Sequence, residues 1–108
     1  MKEKLLQFKA EILKAIAQPT RLKILELLRE KELCICEIAP LINGGQSNVS
    51  KHLSVLEKSK LVTSRKEGVR VYVKANPSVF PILDSLTEIL RKRIEEEKKE
   101  IEELERRI

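Results

Sequence analysis

Gln46-Ser47-Asn48-Val49-Ser50-Lys51-His52-Leu53-Ser54-Val55-Leu56 decides how the rest of this chain is read. Val49, Leu53 and Leu56 recur at the i, i+4, i+7 spacing of one buried helical face. The opposite face then carries Gln46, Ser47, Ser50, Lys51 and Ser54. These side chains are short enough to let a helix approach a duplex and polar enough to bond base edges and phosphates. An ordinary surface helix also has a polar outer face, so this stretch alone leaves both readings open.

The neighbouring segments separate the two. Asn43-Gly44-Gly45 is a strong turn signal, and the residues before it, from Cys34 or Ile35 to Leu41, read as a short helix. Two short helices joined by a glycine-containing turn make a helix-turn-helix, here over about residues 34–58. Downstream, Leu61-Val62-Thr63-Ser64-Arg65 and Val69-Arg70-Val71-Tyr72-Val73 are alternating and β-branched. They flank Lys66-Glu67-Gly68, which predicts a β-hairpin with a basic tip over about residues 61–74.

Upstream, residues 3 to about 17 predict a helix whose apolar positions, Leu5, Leu6, Phe8, Ile12, Leu13 and Ile16, form a stripe broader than a small core requires. Part of that stripe is expected to face a partner. Gln18-Pro19-Thr20 interrupts the pattern, and Pro19 suits the first turn of a second helix running to about Lys31 on Leu22, Leu25 and Leu28. After Asn76-Pro77 a long final helix, about 78–108, is marked by Leu83, Leu86, Leu90, Ile94, Ile101, Leu104 and Ile108. So small a domain cannot cover that stripe, which predicts pairing with a second chain, in part as a coiled coil. Beyond Lys98 the alternative is a solvated helix end held by Glu and Lys pairs. The expected fold class is mainly α with a small β-hairpin, in a single domain over residues 1–108.

Charge supports a polyanionic partner. Lys and Arg number 22 against 17 Asp and Glu, for a net charge of +5 and a pI near 9.3. The excess is local: Lys51, Lys58, Lys60, Arg65, Lys66, Arg70 and Lys74, with His52, face only Glu57 and Glu67 over that span. No apolar run is long enough for a membrane span, and the first residues lack the apolar core of a signal peptide. A cytoplasmic protein without a membrane partner is expected, and a reducing compartment would keep Cys34-x-Cys36 as thiols. A thiol oxidoreductase is not supported, since neither a βαβ pattern nor an activating His–Cys arrangement accompanies the pair.

Gln18-Pro19-Thr20-Arg21-Leu22-Lys23-Ile24-Leu25, Glu32-Leu33-Cys34-Ile35-Cys36-Glu37-Ile38, the Gln46 to Leu56 stretch and Arg65-Lys66-Glu67-Gly68 through Tyr72 occur in the order found in one known family. Together they resemble the winged helix-turn-helix of the ArsR/SmtB family, small dimeric repressors of metal and metalloid resistance. The resemblance implies a non-enzymatic repressor that dimerises through its first and last helices and binds an inverted-repeat operator in double-stranded DNA. Gln46, Ser47, Ser50 and Lys51 would then face the major groove, and Arg65, Lys66 and Arg70 on the wing would hold phosphates or the neighbouring minor groove. Asn48 and His52 lie at the margin of the reading face. His52 is expected to pack or to meet a phosphate, because no second histidine exists to share a metal with it.

Cys34 and Cys36 are the implied sensor, and no cofactor is required for folding. Thiolates select As(III), Sb(III), Cd(II), Pb(II) or Cu(I) over hard cations, and arsenite is the expected inducer. In a regular helix i and i+2 point about 200° apart, so the first turn would have to unwind for both sulfurs to meet one ion. The chain departs from the fullest family pattern: Ala39 stands where arsenic sensors often carry a third cysteine, and residues 1–33 contain none. A third ligand would come from hydroxide or an external thiol, and a four-sulfur site would need both subunits. The zinc and cobalt site of some relatives is not expected, since no histidine follows Leu53, and Asp84 and Glu88 are read as surface charges. Redox sensing, or a small semi-buried pair without a ligand, remain the alternatives for the two cysteines.

Overall fold

The computed structural model describes residues 2–107 and divides the chain into two compact units, Met1–Pro77 and Ser78–Ile108. In the first unit, helix α1 (Lys2–Ile16) buries only Ala15 and Ile16. Leu5, Leu6, Phe8 and Leu13 stay between 52% and 63% exposed, so most of the apolar stripe predicted to face a partner is uncovered in one chain. Helix α2 (Pro19–Leu27) begins as its sequence predicts, with Pro19 in the first turn. Gln18 is its extended N-cap and accepts the Arg21 N–H at 2.9 Å.

The helix ends at Leu27 rather than near Lys31. Its last turn tightens as the Leu28 N–H bonds the carbonyls of Ile24 and Leu25, and the chain is then drawn into a strand that the sequence reading missed. This strand, β1 (Leu33–Cys34), exists through its antiparallel partners Val73 and Tyr72, a tertiary pairing with no local signature in two residues.

Helix α3 (Ile35–Ile38) is shorter than predicted and passes into a 3₁₀ turn, Ala39–Leu41. Pro40 lacks the N–H that a continued α-helix would need there. The following turn uses Gly44 at φ +87°, where an added Cβ would stand 2.9 Å from the Asn48 Cβ. The Asn48 side chain donates to the Asn43 carbonyl at 2.8 Å and locks this turn to helix α4 (Gly45–Lys58). That helix closes with the Leu61 N–H on the Leu56 carbonyl (2.9 Å) and the Lys60 N–H on that of Glu57 (3.0 Å). These are the paired bonds of a Schellman motif, with Lys60 left-handed at φ +63° where glycine is usual, at a cost of about 1 kcal/mol.

Strands β2 (Val62–Glu67) and β3 (Arg70–Ala75) form the hairpin, and the sheet order is β1-β3-β2. The tip differs from its predicted composition. Lys66 and Glu67 are paired strand residues, opposite Val71 and Arg70, and Gly68-Val69 makes the turn. Gly68, at φ +63°, supplies the positive φ that a two-residue hairpin turn needs at its first position. The core of this unit is Ile24 and Leu25 of α2, Ile38 of α3, Val49, Leu53 and Leu56 of α4, and Val62 and Val73 of the sheet. Each such side chain contributes roughly 1.5–3 kcal/mol of burial.

The second unit is helix α5 (Val79–Arg106), 28 residues and about 42 Å long at the α-helical rise. It is continuous through the polar stretch Glu95–Glu100. Its buried residues are Val79 and Leu83, whereas Leu86, Ile89, Leu90, Ile94, Ile101 and Leu104 are 43–64% exposed. Arg91–Glu88 (3.1 Å) and Arg93–Glu97 (3.2 Å) pair along its surface, each worth about 0.2–0.5 kcal/mol. No described helix is long and apolar enough to cross a membrane.

Candidate nucleic-acid interface

Helix α4 is divided as its periodicity predicts: Val49, Leu53 and Leu56 are buried, and Gln46, Ser47, Ser50, Lys51 and Ser54 are exposed. Burial of one stripe against α2, α3 and β2 fixes the rotation of the helix, so those polar side chains form one outward surface. Lys51, Lys58, Lys60, Arg65, Lys66, Arg70 and Lys74 are all exposed in the same unit. Ser64 Oγ bonds Glu57 Oε1 at 2.9 Å and ties the root of the hairpin to α4.

The hairpin does not bring its three predicted contact residues together. Successive residues of a strand point to opposite faces, and direct cross-strand partners share one. Lys66 therefore lies on the face of Ser64, Val62, Val71 and Val73, whereas Arg65 and Arg70 lie on the face of Tyr72. Arg65 is already engaged. Its Nη2 and Nε meet Glu32 at 2.6 and 3.2 Å, its Nη1 meets Glu67 at 2.6 Å, and its guanidinium carbon stands 4.7 Å from the Tyr72 ring centroid. The Arg65 hydrogen bond holds the Glu32 carboxyl below its usual range, and the two carboxylates push Arg65 upward in turn. Arg70 is also raised, chiefly by hydrogen bonding to Tyr72. Glu32 was not among the residues singled out from sequence, because its partner lies 33 positions away.

His52 is half-buried on α4 and packs toward Arg21, as its place at the helix margin predicted. Arg21 Nε donates to the Ala15 carbonyl at 2.6 Å, and its Nη1 lies 3.3 Å from His52 Nδ1. A guanidinium only donates, so Nδ1 is the acceptor and Nε2 carries the proton of a neutral ring. Arg21 thereby joins the end of α1 to α4. Desolvation first, and the Arg21 charge second, lower the His52 pKa below 6.5. The unfolded chain then takes up this proton before the folded one does. The stabilisation is complete above the unfolded value and diminishes as pH falls below it. His52→Asn keeps an acceptor near Nδ1 without titrating. Urea midpoints at pH 7.5 and 5.5 should therefore fall more in the wild type than in H52N, and equal falls would refute the assignment.

Cys34 and Cys36 are held differently from the helical i, i+2 pair expected. Cys34 is buried, belongs to β1 and is the extended N-cap of α3, while Cys36 is exposed within the helix. The sulfurs are joined in a disulfide with the Cα atoms 5.0 Å apart, so they converge without any unwinding of the first turn. The ladder to Tyr72 draws Cys34 out of the helix, which is the physical reason for the difference. A capping box completes the site: Cys34 N–H donates to Glu37 Oε1 at 2.9 Å, and Cys36 N–H donates to Cys34 Sγ at 3.1 Å. Once reduced, the pair offers two soft donors to a thiophilic ion. Among the described residues no group of three or more His, Cys, Asp or Glu side chains is placed to hold a metal ion. A cavity of about 300 Å³ adjoins the sulfurs and is also lined by Gln46 of α4 and by Arg70 and Val71 of β3.

The sequence and the fold are similar to those of known proteins. Residues 18–64 match the profile described as bacterial regulatory protein, arsR family. The chain is 47% identical over 60 residues to an uncharacterised HTH-type transcriptional regulator of Methanocaldococcus jannaschii, covering 55% of this chain and 67% of that one. It is 36% identical over 70 residues to the arsenical resistance operon repressor of Escherichia coli, covering 64% of this chain and 60% of the repressor. Its fold is similar to the homodimeric winged helix-turn-helix DNA-binding domain Mb0332 from Mycobacterium bovis, with a TM-score of 0.77, 29% identity, and coverage of 88% of this chain and 89% of that one. The helix-turn-helix around α4, the antiparallel wing and these likenesses together show that the chain belongs to the arsR family of bacterial regulatory proteins.

Proposed function

We propose that this protein is a cytoplasmic transcriptional repressor that binds an inverted-repeat DNA operator as a homodimer and is released when a thiophilic metal or metalloid, arsenite first, binds Cys34 and Cys36. The observation that carries the reading is the exposed row Gln46, Ser47, Ser50, Lys51 and Ser54 on a helix whose other face is buried. Gln46 suits adenine, the serines suit several bases, and Lys51 suits guanine or phosphate. Arg65, Lys66 and Arg70 supply phosphate contacts, from two faces of the wing rather than one. The uncovered stripes of α1 and α5 supply a dimer surface, and a two-fold dimer presents two reading helices about 34 Å apart.

The shared cavity offers a route for release. A ligand on the two sulfurs lies beside Gln46 at the start of α4 and Arg70 on the wing, so it disturbs both DNA-contacting elements directly. A coupling of about 1–3 kcal/mol would weaken binding roughly 5–150-fold. The disulfide favours one second reading, in which an oxidant removes two electrons and two protons from the thiol pair and takes the place of the metal.

Fluorescence anisotropy of the reduced protein on its own upstream inverted repeat tests both. Arsenite or Cd(II) is expected to release the duplex, and Cys34→Ser with Cys36→Ser to abolish release while leaving DNA affinity nearly unchanged, since Ser caps a helix well. Retained release in the double variant would exclude this pair as the sensor. Release of the wild type by an oxidant and not by either ion would select the second reading.

A further inference from the structure

We infer that Glu32 limits DNA affinity: its carboxylate occupies Arg65 of the wing as an internal stand-in for a phosphate, and duplex binding exchanges one anion for the other. The inference rests on the DNA-binding reading above and concerns which residue sets its strength. Glu32 grips Arg65 through Nη2 at 2.6 Å and through Nε at 3.2 Å to each carboxylate oxygen. This is the fork geometry by which arginine also takes a phosphate. An isolated surface ion pair would count for little, but this one belongs to a network. Glu67 closes on Nη1 at 2.6 Å, and the guanidinium stands 4.7 Å from the Tyr72 ring centroid. The Arg65 and Glu32 side chains remain 52% and 30% exposed, so an incoming phosphate can reach the pair.

The position of Glu32 makes the exchange more than local. Cys34 pairs with Tyr72, and Tyr72 pairs with Arg65, so the three are consecutive across the sheet, with Glu32 two residues before Cys34. Any shift of β1 at the thiol pair moves the carboxylate that holds the wing arginine. Glu67 sits on the wing itself, two residues from Arg65, and moves with it.

A double-mutant cycle on duplex DNA tests this, using Glu32→Gln, Arg65→Gln and the double variant over a salt series. E32Q is expected to bind about fivefold tighter than wild type at low salt. Because Arg65 meets the phosphate in both proteins, the log–log salt dependence of E32Q should stay close to that of wild type, whereas R65Q should lose about one phosphate contact from it. In the R65Q background the Glu32 change should have no effect. Equal tightening in both backgrounds would mean that only net charge matters, and would overturn the exchange. Duplex binding that E32Q leaves unaltered would overturn it as well. Absence of duplex binding by every variant would remove the DNA-binding reading and the exchange together, a distinct result from the other two. Tyr72 is the chain's single tyrosine and there is no tryptophan, so intrinsic emission of the DNA-free variants reports the cluster directly. E32Q and R65Q should each change it, with the double variant matching R65Q, and an emission indifferent to E32Q would overturn the clamp itself.

Discussion

Leu56→Ala is expected to lower the unfolding free energy by about 2–5 kcal/mol. Leu56 is fully buried, completes the stripe begun by Val49 and Leu53, and offers the carbonyl that receives Leu61 N–H at the end of α4. Truncation removes transfer energy and leaves a cavity, because α4 is held from several sides and cannot collapse into the space. Domains of this size have roughly 5–15 kcal/mol in total, so the loss is a large fraction of it. Urea denaturation followed by circular dichroism at fixed protein concentration is the appropriate measurement. Val55→Ala, on the exposed side of the same helix, is the control and should stay within about 0.5 kcal/mol. Comparable losses at the two positions would contradict the rotation of α4 on which the proposed DNA-reading face depends.

The second large effect is expected from Leu90→Glu combined with Ile94→Glu. These residues are 53% and 62% exposed on α5, one helical turn apart in the apolar stripe. In the proposed homodimer they are covered by the second chain, where two carboxylates per subunit would be desolvated without partners. Sedimentation should show a monomer. Operator affinity should fall by about 100-fold or more, because the second half-site contact loses its high effective concentration. The isolated helix-turn-helix unit should keep its fold, since its own core lies within residues 1–77. A dimer that persists in this variant would transfer the interface to the exposed face of α1, where Leu5, Leu6 and Phe8 lie.

Local pattern was enough for some elements and insufficient for others. The buried and exposed faces of α4 follow from a three-residue apolar stripe, and the start of α2 follows from Gln18-Pro19, a cap and a first-turn proline. Each of these signals is contained within a few residues. The hairpin was legible as a hairpin, but its register was not. Glycine at φ +63° sets the turn at Gly68-Val69, and this displaces Lys66 into the strand and onto the face opposite Arg65. The candidate sensor was legible as a residue pair and misread as geometry, because two residues of β1 carry no periodicity of their own.

Local pattern alone pointed to a small, mainly helical chain with a helix-turn-helix, a basic β-hairpin beside one polar helix face and two apolar stripes too broad for its core, and the resemblance to a known family joined these into a winged helix-turn-helix. Periodicity, turn chemistry and charge are short-range properties, and they suffice for those conclusions. Tertiary structure alone decided that Cys34 leaves the helix to pair with Tyr72, that Arg21 ties the end of α1 to His52, and that Glu32 takes hold of Arg65. The Arg21–His52, Glu32–Arg65 and Cys34–Tyr72 contacts join residues 31 to 38 positions apart, and a ladder or an ion pair across such a gap is specified by where the packed core places two backbones, not by the residues beside either one.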